Sequence, residues 1–289
     1  RAAEGVIHNR IEPRLTIREV APLEVSHSML LIDDRENTVF SFLEQELDQM
    51  QPLYSFQLMK DSGNISGYLV TPEQSERIDQ ALTALASMEE MEKKYGITDK
   101  GIFVYAVGDG NHSMATAKAY WEEVKKGLTA EEQENHPARF ALVEVVNIHD
   151  ESLIIEPIHR ALFGVDADEL LGALTDFYNG EGCKAYVADE APKSENAHFF
   201  PFCSANKSGV FVVENPKWAI PVATIQTGLD AYLETHTSAK IDYIHGTDVV
   251  VSLAEKPGNL GFILPDIAKN DLFRGVVFDG VLPRKTFSM

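Results

Sequence analysis

The chain has 289 residues, 44% of them hydrophobic and 24% charged, a composition typical of a globular protein with one or two domains. This composition excludes a disordered, fibrous or low-complexity chain. The 45 acidic and 25 basic residues leave a net charge of −20, which would repel nucleic acid and anionic lipid over most of the surface. The two cysteines lack metal-ligand spacing, and no apolar run reaches the ~20 residues that span a bilayer. We therefore expect a cytoplasmic protein that binds neither nucleic acid nor a membrane, and the sequence leaves its oligomeric state open.

Hydrophobic periodicity predicts a mixture of strands and helices along the chain. The predicted strands cover residues 28–34, 65–70, 102–107, 139–148, 153–157, 185–187, 199–203 and 210–213. The predicted helices cover residues 42–50, 71–96, 114–124, 166–177 and 224–236, with capping residues at Thr71 and Asp166. Residues 150–152 are predicted to turn the strand at 139–148 back into a β-hairpin. Because hairpins stand beside strand-to-helix units, we predict an α+β (mixed α/β) fold and not a regular doubly wound sheet.

The segment from Val107 to Lys118 carries the most chemistry. Gly108 and Gly110 flank Asp109 in a predicted strand-to-helix turn, so backbone N–H groups can approach a ligand closely there. We expect the N–H groups of residues 114–116 to face this turn at the positive end of the helix dipole. The turn therefore predicts an anion site.

Four side chains of this segment suit phosphate chemistry. Ser113 and Thr116 could donate hydroxyl hydrogen bonds, Asp109 could hold Mg²⁺ or orient a hydroxyl, and His112 could donate to phosphate. The same residues also suit a structural role, with Ser113 as a helix N-cap, Asp109 as a turn residue and His112 bonded to the backbone. Neither G-x-x-x-x-G-K-[ST] nor G-x-G-x-x-G is present, so the spacing alone leaves both interpretations open.

Residues 106–118 resemble the signature of the domain-of-unknown-function family 1015 (DUF1015), whose commoner members have D-G-H-H-R-Y at this place. Four later blocks resemble the family in the same order, at residues 136–144, 156–160, 241–246 and 282–287. The resemblance covers nearly the whole chain. It implies that the natural domain begins before Arg1 and continues after Met289.

The glycine-histidine loop of this family is similar to that of the ParB/sulfiredoxin superfamily, where the loop opens a helix and holds nucleotide phosphates. The resemblance implies a ParB/sulfiredoxin-like nucleotide-binding core over residues 1–160, with the anion-binding loop at 108–116 and additional β-hairpins and helices. Residues 161–289 would form a second α+β part, or else complete a single domain. Because some relatives in the superfamily are free-serine kinases, the implied activity is a phosphotransferase. It would use ATP or ADP with Mg²⁺ and act on a small hydroxyl-bearing metabolite such as a serine-like amino acid.

The resemblance also assigns site residues. Residues 1–4 resemble a family block that reads R-x-T-E or R-x-H-E, which makes Glu4 the expected general base for a substrate hydroxyl. Asn111 and Ser113 stand where commoner members have His and Arg, so Lys118 or Arg160 is expected to supply the positive charge. The expected catalytic residues are Glu4, Asp109 and His112, with Asp109 also on Mg²⁺. The expected phosphate-binding residues are Gly108, Gly110, Asn111, Ser113, Thr116, Lys118 and Arg160, and the expected substrate-binding residues are Arg1, His159, Tyr243, His245 and Lys285.

Two alternatives stay open at the level of sequence. Arg160 could instead pair structurally with Glu144 or Glu156. The whole chain could be a nucleotide-sensing or metabolite-binding module that uses the same anion site without catalysis. Other chemistries have no support, because the sequence contains no H-x-x-x-H, H-E-x-x-H or G-x-S-x-G pattern.

Overall fold

The computed structural model describes residues 10–25, 28–194, 196–280 and 282–288. These residues form two compact units. Unit 1 is formed by the described residues of Arg1–Leu30, Ala106–Glu144 and Glu151–Met289, and unit 2 by Leu31–Tyr105 and Val145–Asp150. Unit 1 contains residues from both sides of position 160, and the predicted division into 1–160 and 161–289 stays a prediction.

Helices and strands are mixed throughout the described residues. The helices are α1 (Ile11–Val20), α2 (Ser41–Glu46), α3 (Pro72–Leu85), α4 (Met88–Tyr95), α5 (Asn111–Val124), α6 (Ala130–Glu134), α7 (Ala167–Gly180), α8 (Pro221–Thr235), α9 (Thr247–Ala254) and α10 (Lys269–Phe278). The strands are β1 (Met29–Ile32), β2 (Gln51–Gln57), β3 (Asn64–Leu69), β4 (Tyr105–Asp109), β5 (Glu144–Asn147), β6 (Glu156–Pro157), β7 (His159–Phe163), β8 (Lys184–Ala188), β9 (Ala197–Ser204), β10 (Ser208–Glu214), β11 (Lys240–Ile244), β12 (Asn259–Phe262) and β13 (Phe287–Ser288). This arrangement confirms the predicted α+β class, while the ParB/sulfiredoxin-like core stays a prediction. None of the described helices has the length and apolar character needed to cross a bilayer.

The largest sheet lies in unit 1 and has six strands in the order β11-β7-β12-β9-β10-β8. Neighbouring strands in it run antiparallel. Its buried side includes Leu162, Phe200, Phe211 and Phe262, none of which is solvent-accessible. Helices α7 and α8 pack against each other, and the Tyr178 hydroxyl on α7 donates a hydrogen bond to a main-chain carbonyl of α8. Burial of these aromatic and aliphatic side chains is the main stabilisation of unit 1.

Three smaller sheets complete the described strands: β4-β1-β5, β2-β3 and β13-β6. The predicted hairpin across residues 150–152 is wrong. Strand β5 bonds to β1, with the Glu144 N–H donating to the Ser28 carbonyl at 2.9 Å, and β6 pairs with β13, where Pro157 lies opposite Phe287. The chain between β5 and β6 is therefore a connection and not a hairpin, because each strand finds its partner far away in sequence.

Helices α3 and α4 were predicted as one helix over residues 71–96. Both ends of that prediction are confirmed, since Thr71 and Gln74 form the reciprocal capping box and Gly96 ends α4 in the left-handed conformation. The prediction of a single helix is wrong, because Ser87 accepts a hydrogen bond from the Glu90 N–H and starts α4 as a separate helix. The apolar side of α3, including Ile78 and Leu85, packs into the core of unit 2 as predicted.

Candidate functional site at the start of helix α5

The predicted turn between a strand and a helix is present around Gly110. Strand β4, which contains Gly108, ends at Asp109, and Gly110 precedes α5 with a φ of +83°. A left-handed residue favours glycine, and a Cβ at this position would lie only 2.7 Å from the Ser28 Cα, so both backbone and space require glycine. The exposed Asp109 carboxylate accepts a hydrogen bond from the Gly110 N–H at 2.6 Å.

The helix begins earlier than predicted. Gly110 is the N-cap, so the prediction that Ser113 caps the helix is wrong. The Met114 N–H donates to the Gly110 carbonyl at 2.9 Å and is therefore inside the helix, in contrast to the expectation that the N–H groups of residues 114–116 face the turn. The amides of the first turn, which point toward the open end of a helix, are those of Asn111, His112 and Ser113.

The side chains of this first turn sit in a positively charged environment. Burial, together with the nearby Arg14 and Arg10 guanidiniums, lowers the pKa of His112. At neutral pH the His112 imidazole is therefore neutral and can donate one hydrogen bond. The Asn111 Oδ1 atom is buried and has no hydrogen-bond partner within the described part of the chain. The Thr116 hydroxyl donates to the His112 carbonyl at 2.7 Å, so this hydroxyl is used within the helix.

A cavity of about 380 Å³ opens beside α5, where α1 packs against it. Its polar lining includes Arg14, Arg18, Glu24, Ser113 and Thr116, and its apolar lining includes Ile17, Leu23 and Val25. Both Glu24 carboxylate oxygens accept hydrogen bonds from Arg18 at 2.9 Å. The Arg14 side chain is exposed and donates to the Arg10 carbonyl at 3.0 Å. A cavity of this size, lined by both guanidinium and aliphatic side chains, suits a small ligand with an anionic group and an apolar part.

Arg14 was missed by the sequence predictions, which assigned the positive charge to Lys118 or Arg160. Lys118 is exposed on α5 and does not line the cavity. A usable signal was nevertheless present, because Arg10, Arg14 and Arg18 recur every fourth residue. At 3.6 residues per turn this spacing places all three on one helix face in an otherwise acidic chain.

Arg160 lies in strand β7 and is completely buried. Its Nε donates to the Gln226 Oε1 at 2.7 Å, and its Nη1 donates to the Ile158 carbonyl at 2.6 Å. Its guanidinium carbon lies 4.7 Å from the centre of the Tyr243 ring. The Tyr243 hydroxyl in turn accepts a hydrogen bond from the Arg284 Nε at 2.7 Å, and Arg284 was not predicted. The structure thus brings Arg160 and Tyr243 together, while their role in a ligand site stays a prediction.

The other predicted substrate residues have different environments. His159 is buried, accepts the Leu264 N–H at its Nδ1, and lies 3.2 Å from the Thr247 hydroxyl through its Nε2. Burial and the neighbouring Arg160 lower the pKa of His159, which keeps it neutral. His245 and Lys285 are exposed.

The lining of the cavity at α5 does not include Arg160, Tyr243, His159, His245 or Lys285. A single site formed by these residues and the α5 loop therefore stays a prediction. The remaining two predicted site residues, Arg1 and Glu4, lie outside the described residues.

No group of three or more His, Cys, Asp or Glu side chains in the described ranges is arranged to hold a metal ion. A Mg²⁺ ion that arrives with nucleotide phosphates needs only one or two protein carboxylates. The exposed Asp109 carboxylate directly precedes the first turn of α5 but does not line the cavity, so its role on Mg²⁺ stays a prediction.

These features define a mixed α+β protein whose cavity adjoins a glycine turn and the amino-terminal end of a helix. The model of the family described as "Protein of unknown function (DUF1015)" matches residues 1–232. The chain belongs to this family, which confirms the resemblance seen in the sequence. No curated protein sequence matches the chain.

Several solved structures are similar to the chain, including a free serine kinase and a hypothetical protein from Pyrococcus furiosus. A mutant of a free serine kinase in complex with AMP has 12% sequence identity and a TM-score of 0.51, over 99% of this chain and 82% of that one. A conserved hypothetical protein from Pyrococcus furiosus has 13% identity and a TM-score of 0.44, over 92% of this chain and 91% of that one. At this identity the first likeness establishes a shared fold.

Proposed function

We propose that the chain is a nucleotide-dependent phosphotransferase that acts on a small hydroxyl-bearing metabolite, such as a serine-like amino acid. One observation carries the proposal: Arg14 and Ser113 line one cavity at the amino-terminal end of α5. The shared fold supports it, since the similar structure is a free serine kinase in complex with AMP. On this proposal the protein is cytoplasmic and binds neither nucleic acid nor a membrane.

The nucleotide phosphates would lie at the first turn of α5. The dipole of α5 favours an anion at this end, and Gly110 allows close approach of a ligand to the backbone. Arg14 would bind a phosphate as a planar fork, and neutral His112 would donate one more hydrogen bond. The apolar wall formed by Ile17, Leu23 and Val25 would pack against the base.

The transfer step needs a metal ion and a base. Asp109 would hold the Mg²⁺ that accompanies ATP or ADP and neutralises phosphate charge. Glu4 would take the proton of the acceptor hydroxyl. The remaining proposed contacts to phosphate and substrate are those of Gly108, Asn111, Thr116, Lys118, Arg160, Arg1, His159, Tyr243, His245 and Lys285.

A non-catalytic nucleotide-sensing module is the second candidate, and one contact favours it. Among the described residues that line the cavity, Glu24 is the one carboxylate, and Arg18 binds both of its oxygens. Because Arg18 engages both oxygens of this carboxylate, the described lining of the cavity offers no unpaired carboxylate to act as a base.

Replacing Glu4 by Gln separates the two candidates. A general base acts on the acceptor hydroxyl and need not touch the nucleotide, so Glu4→Gln should leave nucleotide affinity unchanged and lower turnover by ~10²–10⁴. Glu123→Gln, which changes an exposed carboxylate paired with Lys126, is the matched control and should alter neither quantity.

The measurements are calorimetric titration with Mg-nucleotide and a phosphate-transfer assay across serine-like acceptors. Wild-type protein that binds nucleotide but transfers phosphate to no small hydroxyl compound supports the sensing module. Wild-type protein that binds no nucleotide contradicts both candidates.

A further inference from the structure

The hairpin formed by β2 and β3 in unit 2 exposes an unusual amount of apolar surface. Every residue of β2 is exposed, and so are most residues of β3. Large apolar side chains along this segment are between 37% and 87% exposed, namely Leu53, Tyr54, Phe56, Leu58, Met59, Ile65, Tyr68, Leu69 and Val70. Contiguous apolar surface of this kind is rare on a monomer and marks an interaction site.

The strand register concentrates the apolar side chains on one face. Phe56 lies opposite Ile65 and Tyr54 opposite Gly67, and the Tyr54 ring covers Gly67 so closely that a Cβ there would collide with it. Leu69 follows Gly67 by two residues and therefore points to the same side. The hairpin thus has an apolar face made of Tyr54, Phe56, Ile65 and Leu69.

The opposite face is polar in the half next to the turn, and Tyr68 lies on it at the far end, opposite Pro52. Ser55 lies opposite Ser66, with their hydroxyl oxygens 2.8 Å apart, and Gln57 lies opposite Asn64. An isolated two-stranded hairpin is at best marginally stable in water, and an uncovered apolar face makes it less so. The apolar face therefore requires a partner, and the polar half of the opposite face does not.

We propose that the apolar face of this hairpin packs against the same face of a second copy of the chain, in a two-fold symmetric dimer. Charge favours a second copy. The chain carries a net charge of −20, so two copies repel each other over most of their surface. Strands β2 and β3 contain no Asp, Glu, Lys, Arg or His, so two copies can approach there without that repulsion. A two-fold interface is self-complementary, and an apolar face meets this condition directly.

The available area fits a reversible dimer. The four side chains of the apolar face, with Leu58 and Met59 at the turn, together expose the area of about three whole side chains, or roughly 600 Å² at ~200 Å² each. Two copies would bury ~1,200 Å², which is the lower limit for a stable and specific interface. A dimer of this size is expected to dissociate in the micromolar range.

Sedimentation equilibrium of the full chain, from about 1 to about 100 µM, tests the proposal. Wild-type protein should be a dimer at the upper end of this range. Phe56→Lys should weaken dimerisation at least tenfold, because it places a charge in the centre of the apolar face. Gln57→Lys is the matched control, since it adds the same charge one residue away on the polar face, and it should dimerise like the wild type. Circular dichroism of both variants should match the wild type.

Three results would overturn the proposal. The first is a wild-type chain that stays monomeric at the highest concentration. The second is equal dimerisation of Phe56→Lys and the wild type, and the third is equal loss of the dimer in both lysine variants. A monomeric chain that binds phosphatidylcholine vesicles through Phe56 would also overturn it, by assigning the face to a lipid surface.

Discussion

Arg14 and Ser113 are separated by about a hundred positions in the sequence, yet both line the cavity at α5. Ser113 occupies the place where the commoner DUF1015 members have an arginine, and we propose that Arg14 provides that charge from α1. The loop itself was predictable, because glycines around a carboxylate between a strand and a helix have a local signature. The contribution of Arg14 could not be predicted from the sequence, because it depends on the packing of α1 against α5.

Asp33, in unit 2, likewise has partners that local sequence patterns could not predict. Its carboxylate is buried and accepts hydrogen bonds from the Tyr95 hydroxyl and from the His149 Nε2, both at 2.5 Å. Burial alone would raise the pKa of Asp33, but these hydrogen bonds and the charges of Lys94 and Arg35 lower it overall. The sequence predicted the strand that ends beside Asp33, while partners 62 and 116 residues away could not be predicted from local pattern.

His198 predicts a pH dependence of stability. Its Nδ1 lies 2.8 Å from the Thr224 hydroxyl, and burial lowers the pKa of His198 to about 4. Between this value and the ordinary ~6.5 the unfolded chain binds a proton that the folded chain does not, so stability is full above pH ~6.5 and falls toward pH ~4. The loss attributable to His198 over this range is about 3 kcal/mol.

His198→Gln should therefore remove this slope. Urea unfolding of wild type and variant at several pH values between ~4.5 and ~7 gives the difference in unfolding free energy. That difference should change with pH by about 2 kcal/mol. Parallel curves for His198→Gln would show that the histidine is not held neutral.

At the scale of elements, local signals performed well at helix ends. Thr71, Gly96 and Asp166 act as predicted, because a cap depends on residues three or four positions away. The wrong predictions concern strands whose pairing partners are distant in sequence. Strands β5 and β6 look like a hairpin in sequence, but they bond to β1 and β13. Strand β2 was not predicted, and it contains Pro52 because an edge strand tolerates proline.

Gly110→Ala tests the turn that positions α5. The substitution puts a side chain at a φ of +83° and within 2.7 Å of the Ser28 Cα, so it should cost about 2–4 kcal/mol and weaken any binding at the helix start. Gly172→Ala in the middle of α7 is the control, since nothing lies within 4 Å of the added Cβ. Its higher helix propensity should stabilise the protein by about 0.5–1 kcal/mol. Thermal unfolding measures both, and equal melting temperatures for the two variants would contradict the importance of the turn.

At the scale of the whole molecule, the predicted α+β class and the family are both confirmed, and they rest on different information. The class follows from the order of local patterns. The family follows from motifs spread along the chain. The six-stranded antiparallel order and the composition of the two units did not follow from either, because strand pairing is decided by packing over the full chain.

The net charge is also a property of the whole chain, and it does not reveal a local cluster of positive charge. The protein is acidic overall, but Arg10, Arg14 and Arg18 form a basic row on α1 beside the amino-terminal end of α5. On an acidic chain, a cavity lined by arginine side chains would attract a small anion. This contrast is the basis for locating the nucleotide site there.

Isothermal titration of the chain with Mg-ADP, comparing Arg14→Gln with Lys126→Gln, tests this location most directly. Each substitution removes one positive charge, but Arg14 lines the cavity, whereas Lys126 is paired with Glu123 on the surface. Because a charge-assisted hydrogen bond contributes about 1.5–3 kcal/mol, Arg14→Gln should weaken binding at least about tenfold, and Lys126→Gln should bind like the wild type. Equal affinities of Arg14→Gln and the wild type would contradict a phosphate site at the start of α5.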